Sequence, residues 1–153
     1  MIKLIVEERN IKDSIPSAVS QLFKHLLNCI YQPKLHHKSW EQSIQKQVNY
    51  LQKEIKHYSY KRVKNIIEDT IDLSYKYAVI EFFKEMEKSI QCGTPNPYSL
   101  TDMKTLIPNS YKDMGNDTIY SDINFNAETL LNLDIMQKCI KRFHRNSENF
   151  YDK

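Results

Sequence analysis

Glycine is nearly missing from this chain: Gly93 and Gly115 are the only two in 153 residues. Hairpin turns and phosphate-cradling loops need glycine where φ turns positive or where backbone approaches a ligand closely. The scarcity favours helix over β-structure. It also removes G-x-G-x-x-G, the P-loop and the G-x-S-x-G nucleophile elbow, none of which occurs. Long apolar runs are lacking too, since no stretch reaches the ~18 residues that a membrane span requires. Met1 to Val6 is too short for a signal peptide and is followed at once by Glu7, Glu8 and Arg9, so a cytoplasmic protein is expected. Cysteine is sparse: Cys29, Cys92 and Cys139 are odd in number, widely spaced and without a C-x-x-C pair. That usage fits reduced, structural thiols rather than a disulfide framework.

What remains is one domain's length of chain, enough to bury a core without disulfides or metals. The formal charge of +3 says little, but its distribution is uneven. Residues 34–64 hold eight lysines and arginines against Glu41 and Glu54. Residues 65–135 reverse this with five lysines against twelve acids, and the stretch from 136 onward is basic again. A basic region and an acidic region are therefore expected on one molecule.

Apolar spacing predicts an all-α fold, a small bundle with one long central helix. The opening segment Ile2 to Val6 suits either a short strand or the start of a helix. At Asp13 or Ser14 a cap is available, and Pro16 suits a first helical turn, where its missing N–H costs nothing. Val19, Leu22, Phe23, Leu26, Leu27 and Ile30 then recur at three- and four-residue steps, predicting a helix from about Asp13 to Gln32. Ser39-Trp-Glu-Gln42 offers a capping box for a second helix to Lys56, striped by Trp40, Ile44, Val48, Leu51 and Ile55. The longest pattern runs from Tyr60 to Gln91 with Val63, Ile66, Ile67, Ile71, Ala78, Val79, Phe82, Phe83, Met86 and Ile90 on or near one face, and Gly93 supplies a left-handed stop. Thr94-Pro-Asn-Pro97 must be loop. Ser99 with Asp102 caps a short helix from Leu100 to Leu106. Residues 108–125 show no helical stripe and predict a long loop or flexible connection. A last helix, about 126–144, carries Leu130, Leu133, Met136, Ile140 and Phe143 on one side.

Several of these residues also fall in a familiar order. HLLNCIYQP at His25 to Pro33, SWEQSI at Ser39 to Ile44, Y-x-x-A at Tyr75 and Ala78, and TPNPYSL at Thr94 to Leu100 resemble bacterial domain-of-unknown-function family twenty-nine. The resemblance spans roughly residues 20–107 and implies an all-helical fold with the first two helices antiparallel across the YQP…SW link. It carries no catalytic residue and implies no activity. The chain departs from the pattern in having only about 20 residues before the HLL segment, where the family usually has two helices, and in everything after Pro108. The ends outside the resemblance are expected to carry functions of their own.

His25 and Cys29, four apart on one helix, share a face and suit a metal or a thiol–imidazole pair, but both also sit in an apolar stripe, which favours a core histidine beside a core thiol. Glu54 and His57 form one E-x-x-H, whereas a di-metal carboxylate site needs two copies and two further glutamates. The helical nuclease pattern R-x-x-x-x-H fails at Arg9, Arg62, Arg142 and Arg145, whose fifth residues on are Ser14, Ile67, Ser147 and Phe150. Glu81 with Glu85, and Glu68 with Asp72, are pairs that any solvated helix face produces. Trp40, at the first turn of an apolar stripe, is expected to pack on a neighbouring helix.

The candidate binding surface is basic: Lys34, His36, His37 and Lys38 in the link, with Lys53, Lys56, Lys61, Arg62 and Lys64 around the next turn. Tyr58 and Tyr60 interleave with them, the combination that nucleic-acid binders use for phosphate contact and base stacking. The leading reading is nonetheless a non-enzymatic helical module that binds a protein partner, of a regulatory, antitoxin or immunity kind. A nucleic-acid-binding protein using residues 34–64 is the alternative and an unrecognised hydrolase the weaker one. No cofactor, metal or membrane association is expected, and self-association stays open.

Overall fold

The computed structural model describes residues 2–32, 38–93 and 99–151, with side chains over 10–32, 38–93 and 99–143. Among them are six α-helices and no strand. These are α1 (Ile2–Tyr31), α2 (Lys38–His57), α3 (Tyr60–Gln91), α4 (Leu100–Leu106), α5 (Ala127–Leu130) and α6 (Leu133–Tyr151), with a 3₁₀ turn at Tyr111–Asp113.

The frame is an up-down-up arrangement of the first three helices. Pro16 lies beside Ser74 and Lys24 beside Glu85, so α1 and α3 run in the same direction, while α2 returns alongside α1 with Tyr50 against Ser14. At 1.5 Å per residue, α1 and α3 each extend for about 45 Å, and their mutual contact is the most extensive in the molecule. The expected stripes are the buried ones: Val19, Leu22, Phe23, Leu26, Leu27 and Ile30 from α1, Ile44, Val48 and Leu51 from α2, Val63, Ile67, Ile71, Ala78, Phe82 and Met86 from α3. Phe23 and Tyr75 meet edge to face at 5.5 Å between ring centres, the favoured geometry for two quadrupoles. Trp40 packs against the margin of this core, as its position predicted.

Four local expectations are corrected. The N-terminal segment continues α1 from Ile2, so Pro16 sits inside a helix rather than in its first turn and neither Asp13 nor Ser14 is a cap. Ile11, Ile15, Ala18 and Val19 are all buried, so one apolar stripe crosses the proline and the packing it provides outweighs the lost backbone hydrogen bond. α2 opens at Lys38, which makes Ser39 already helical rather than its cap. Ile90 is exposed rather than part of the α3 stripe. The last predicted helix is two: Asn126 caps α5 by accepting from the Thr129 N–H at 3.0 Å, and Asn132 opens α6 by accepting from the Ile135 N–H at 3.1 Å. Two asparagines six residues apart each divert backbone N–H groups to their side chains, which ends one helix and starts the next.

The α4 capping box between Ser99 and Asp102 is present, and Gly93 follows α3 with φ +81° as a left-handed stop. Of the two readings of residues 108–125, the long loop holds and the flexible connection does not. Met114, Tyr120 and Phe125 are buried, and the Tyr120 hydroxyl donates to the Cys139 carbonyl at 3.3 Å. Arg142 grips Asp122 with two bonds of 2.6 and 2.9 Å. The segment is a packed surface loop anchored on its own side chains. The Thr94-Pro-Asn-Pro97 loop lies outside the described residues.

Candidate functional site

The basic turn joins α2 to α3 through Tyr58 and Ser59. Ser59 caps α3 by accepting from the Arg62 N–H at 3.1 Å, which fixes how Lys61 and Arg62 leave the first turn. Lys53, Lys56 and His57 border an open groove of about 570 Å³ with Asn10, Ser14 and Tyr58. A second groove of about 540 Å³, on the other side of the turn, is bordered by Lys12, Lys61 and Arg62 with Asp69 at its far end. Lys53 and Lys56 thus border one groove and Lys61 and Arg62 the other, which also takes in Lys12 from α1. Lys12 is separated from the other basic residues in sequence, so no local charge count finds it.

Two expectations for this surface do not hold together with it. Lys64 turns away and binds Glu128 of α5 at 2.6 Å, with Glu68 at 3.8 Å. That hydrogen bond raises the lysine's pKa and lowers the carboxyl's, so the pair stays ionised and Lys64 is committed to tying α3 to α5. His57 stacks edge to face on Tyr58 at 4.6 Å, and Tyr58 is half-buried rather than splayed out for a base. Lys34, His36 and His37 lie outside the described residues, and Lys38 is exposed at the start of α2.

The remaining candidates resolve on their surroundings. His25 is pushed down to about 4 by burial, with Lys24 adding to the effect and Glu85 opposing it. Cys29 is raised well above the ordinary thiol range by burial, then by the nearby Glu41 and Cys139. A nucleophilic cysteine requires the opposite shift, so this pair is a neutral ring near a protonated thiol. Glu85 binds Lys24 at 2.8 Å, Glu81 is 3.6 Å from Lys84, and Glu68 faces Lys64, so neither carboxylate pair is arranged to share a proton or a cation. No group of three or more potential metal ligands forms among the described residues. No described helix is long and apolar enough to cross a membrane.

A different surface stands out, and sequence reasoning passed over it. Leu73, Tyr77 and Ile80 of α3 are 58%, 57% and 50% exposed, on the side of the helix opposite its buried stripe. Their i, i+4, i+7 spacing makes one ridge. On one flank is a groove of about 560 Å³ floored by Val79, Phe83 and Ile107 and edged by Lys76 and Lys104. On the other is a groove of about 430 Å³ between Pro16 of α1 and Leu73 and Tyr77. The spacing was visible in sequence, but a helix with apolar residues on two faces gives no single amphipathic direction to read.

Residues 6–107 match the family described as Domain of unknown function DUF29, a range that begins 14 residues before the stretch carrying the sequence resemblance. No curated protein and no solved structure matches the chain. The match takes in α1 to α4 with both surfaces just described, and the chain belongs to the DUF29 family.

Proposed function

We propose that this protein is a non-enzymatic helical interaction module that docks a protein partner on the outer face of α3. The observation that carries the reading is the ridge of Leu73, Tyr77 and Ile80, each at least half exposed along one helix face. Large side chains scattered singly over a surface need no explanation, but a contiguous apolar ridge flanked by grooves has the form of a protein-binding patch. The chemistry of the other candidates supports the non-enzymatic part, since the buried thiol is raised rather than activated and Glu85, Glu68 and Glu81 each lie within ion-pair distance of a different lysine.

The test is a photo-crosslinking residue placed at Tyr77 and, separately, at Lys61, in the full chain expressed in its native host. Covalent adducts are expected from position 77 and not from position 61. No adduct from position 77 rejects the reading.

A second reading, binding of nucleic acid at the α2–α3 turn, is favoured by one observation: Lys12 joins Lys53, Lys56 and Lys61, and no described carboxylate forms an ion pair with any of the four. It requires retention on RNA or DNA at low salt that falls steeply as salt rises and is lost when those lysines are reversed in sign. Absence of retention at low salt ends it.

A further inference from the structure

We infer that the partner on the α3 face is a second copy of this chain, bound by antiparallel pairing of the two α3 helices about a two-fold axis between Lys76 and Tyr77. The inference rests on the reading of that face as the docking surface. A two-fold interface must complement itself, because the same patch is present on both sides. This patch does so in shape and in charge.

The shape argument starts from the ridge. Leu73 and Ile80 lie equally far from the midpoint between Lys76 and Tyr77. Antiparallel pairing about that midpoint sets Leu73 of each copy against Ile80 of the other. The Tyr77 rings come together on one side of the axis. Grooves run along both flanks of the ridge, so each copy offers the raised row and the hollow that helix packing interlocks. On the other side of the axis, the Lys76 stems lie along the apolar groove while their ammonium groups reach water.

The charge argument uses the ends of the same stripe. Asp69 and Lys84 are also equally far from the midpoint, Asp69 before the ridge and Lys84 after it, and both are exposed. Antiparallel pairing sets Asp69 against Lys84 of the other copy, twice by symmetry. Parallel pairing would instead set Asp69 against Asp69 and Lys84 against Lys84, which costs rather than gains. Lys84 has an exposed neighbour of its own in Glu81 at 3.6 Å, an i, i+3 contact weak enough to be exchanged. The charge pattern therefore selects both the partner and the direction.

The experiment is sedimentation equilibrium on the full purified chain from low to high micromolar concentration, with cysteine variants to fix the register. A concentration-dependent dimer is expected. Asp69→Lys or Lys84→Asp alone weakens it by roughly tenfold, and the two together restore it to within about threefold of the parent. In a Cys92→Ser background, oxidation joins Tyr77→Cys to itself and joins Leu73→Cys to Ile80→Cys when the two variants are mixed. Leu73→Cys alone does not join, because its two copies stand about 10 Å apart along the helix axes, beyond disulfide reach. All the substituted positions are exposed, so circular dichroism should show an unchanged helix content.

A chain that stays monomeric throughout overturns the inference. So does a dimer indifferent to the charge reversals, or one in which Leu73→Cys joins to itself. If the Tyr77 crosslinker captures a different protein while the purified chain is monomeric, the docking face stands and the self-pairing falls. If it captures nothing, both fall.

Discussion

His25 places a pH dependence in the folded state that can be worked out before it is measured. Its Nδ1 is buried without a hydrogen-bond partner, and burial lowers its pKa from 6.5 to about 4, with Lys24 contributing in the same direction and Glu85 opposing. Above the unfolded value both states hold a neutral ring, and the stability is complete. As pH falls below about 6.5 the unfolded chain takes up a proton that the folded chain refuses, so stability drains until the folded ring also protonates near 4. With these two values the loss between pH 7 and pH 5 is about 2 kcal/mol for a fully enclosed ring. The ring is only partly enclosed, so screening reduces this to about 1 kcal/mol. The assay is urea unfolding of the parent and of His25→Leu at the two pH values. The parent should lose about 1 kcal/mol more than the variant on acidification. Carboxylate contributions are common to both proteins and cancel in the difference. An equal loss in the two proteins would refute the account of His25 as a ring held neutral by its surroundings.

Other substitutions separate backbone strain, single hydrogen bonds and caps. Gly115 has φ +89°, and a Cβ there would stand 3.1 Å from the Tyr120 Cβ, while Gly93 has φ +81° and open space around it. Gly115→Ala should therefore cost about 2–3 kcal/mol and Gly93→Ala about 1 kcal/mol in denaturant midpoints converted to free energy. Tyr75→Phe removes a 2.6 Å hydrogen bond from the hydroxyl to the Pro108 carbonyl, and should cost about 1 kcal/mol with faster amide exchange in the 107–111 stretch. Asn132→Ala strips the side-chain acceptor from the start of α6 and should lower stability by about 1 kcal/mol without loss of helix signal in circular dichroism.

The buried stripes of α1, α2 and α3 were legible because each buries one face at the helical period, and the α4 cap was legible because Ser99 and Asp102 satisfy each other locally. Pro16 is the point where local rules mislead, because its effect on α1 depends on partners far along the chain: the local rule starts a helix there, whereas packing against α3 carries one helix through it. Residues 108–125 were legible as a loop but not as a packed one. Met114, Tyr120 and Phe125 are anchors at irregular intervals, so no period marks them as core. On the basic surface, Lys53, Lys56, Lys61 and Arg62 were predictable from sequence crowding, whereas the diversion of Lys64 to Glu128 required knowing where α5 lies. The outer ridge of α3 was hidden in plain spacing because the inner stripe already accounted for the helix.

The contacts that α1 and α3 make beyond residue 107 bear on where this molecule can be divided. Phe23 faces the ring of Tyr111 at 6.2 Å, Tyr31 reaches the backbone of Gly115, and Tyr75 holds Pro108. The boundary drawn by family likeness thus cuts through side-chain partnerships of Phe23, Tyr31 and Tyr75. The stretch that the family match delimits and the stretch that packs together are different lengths of this chain.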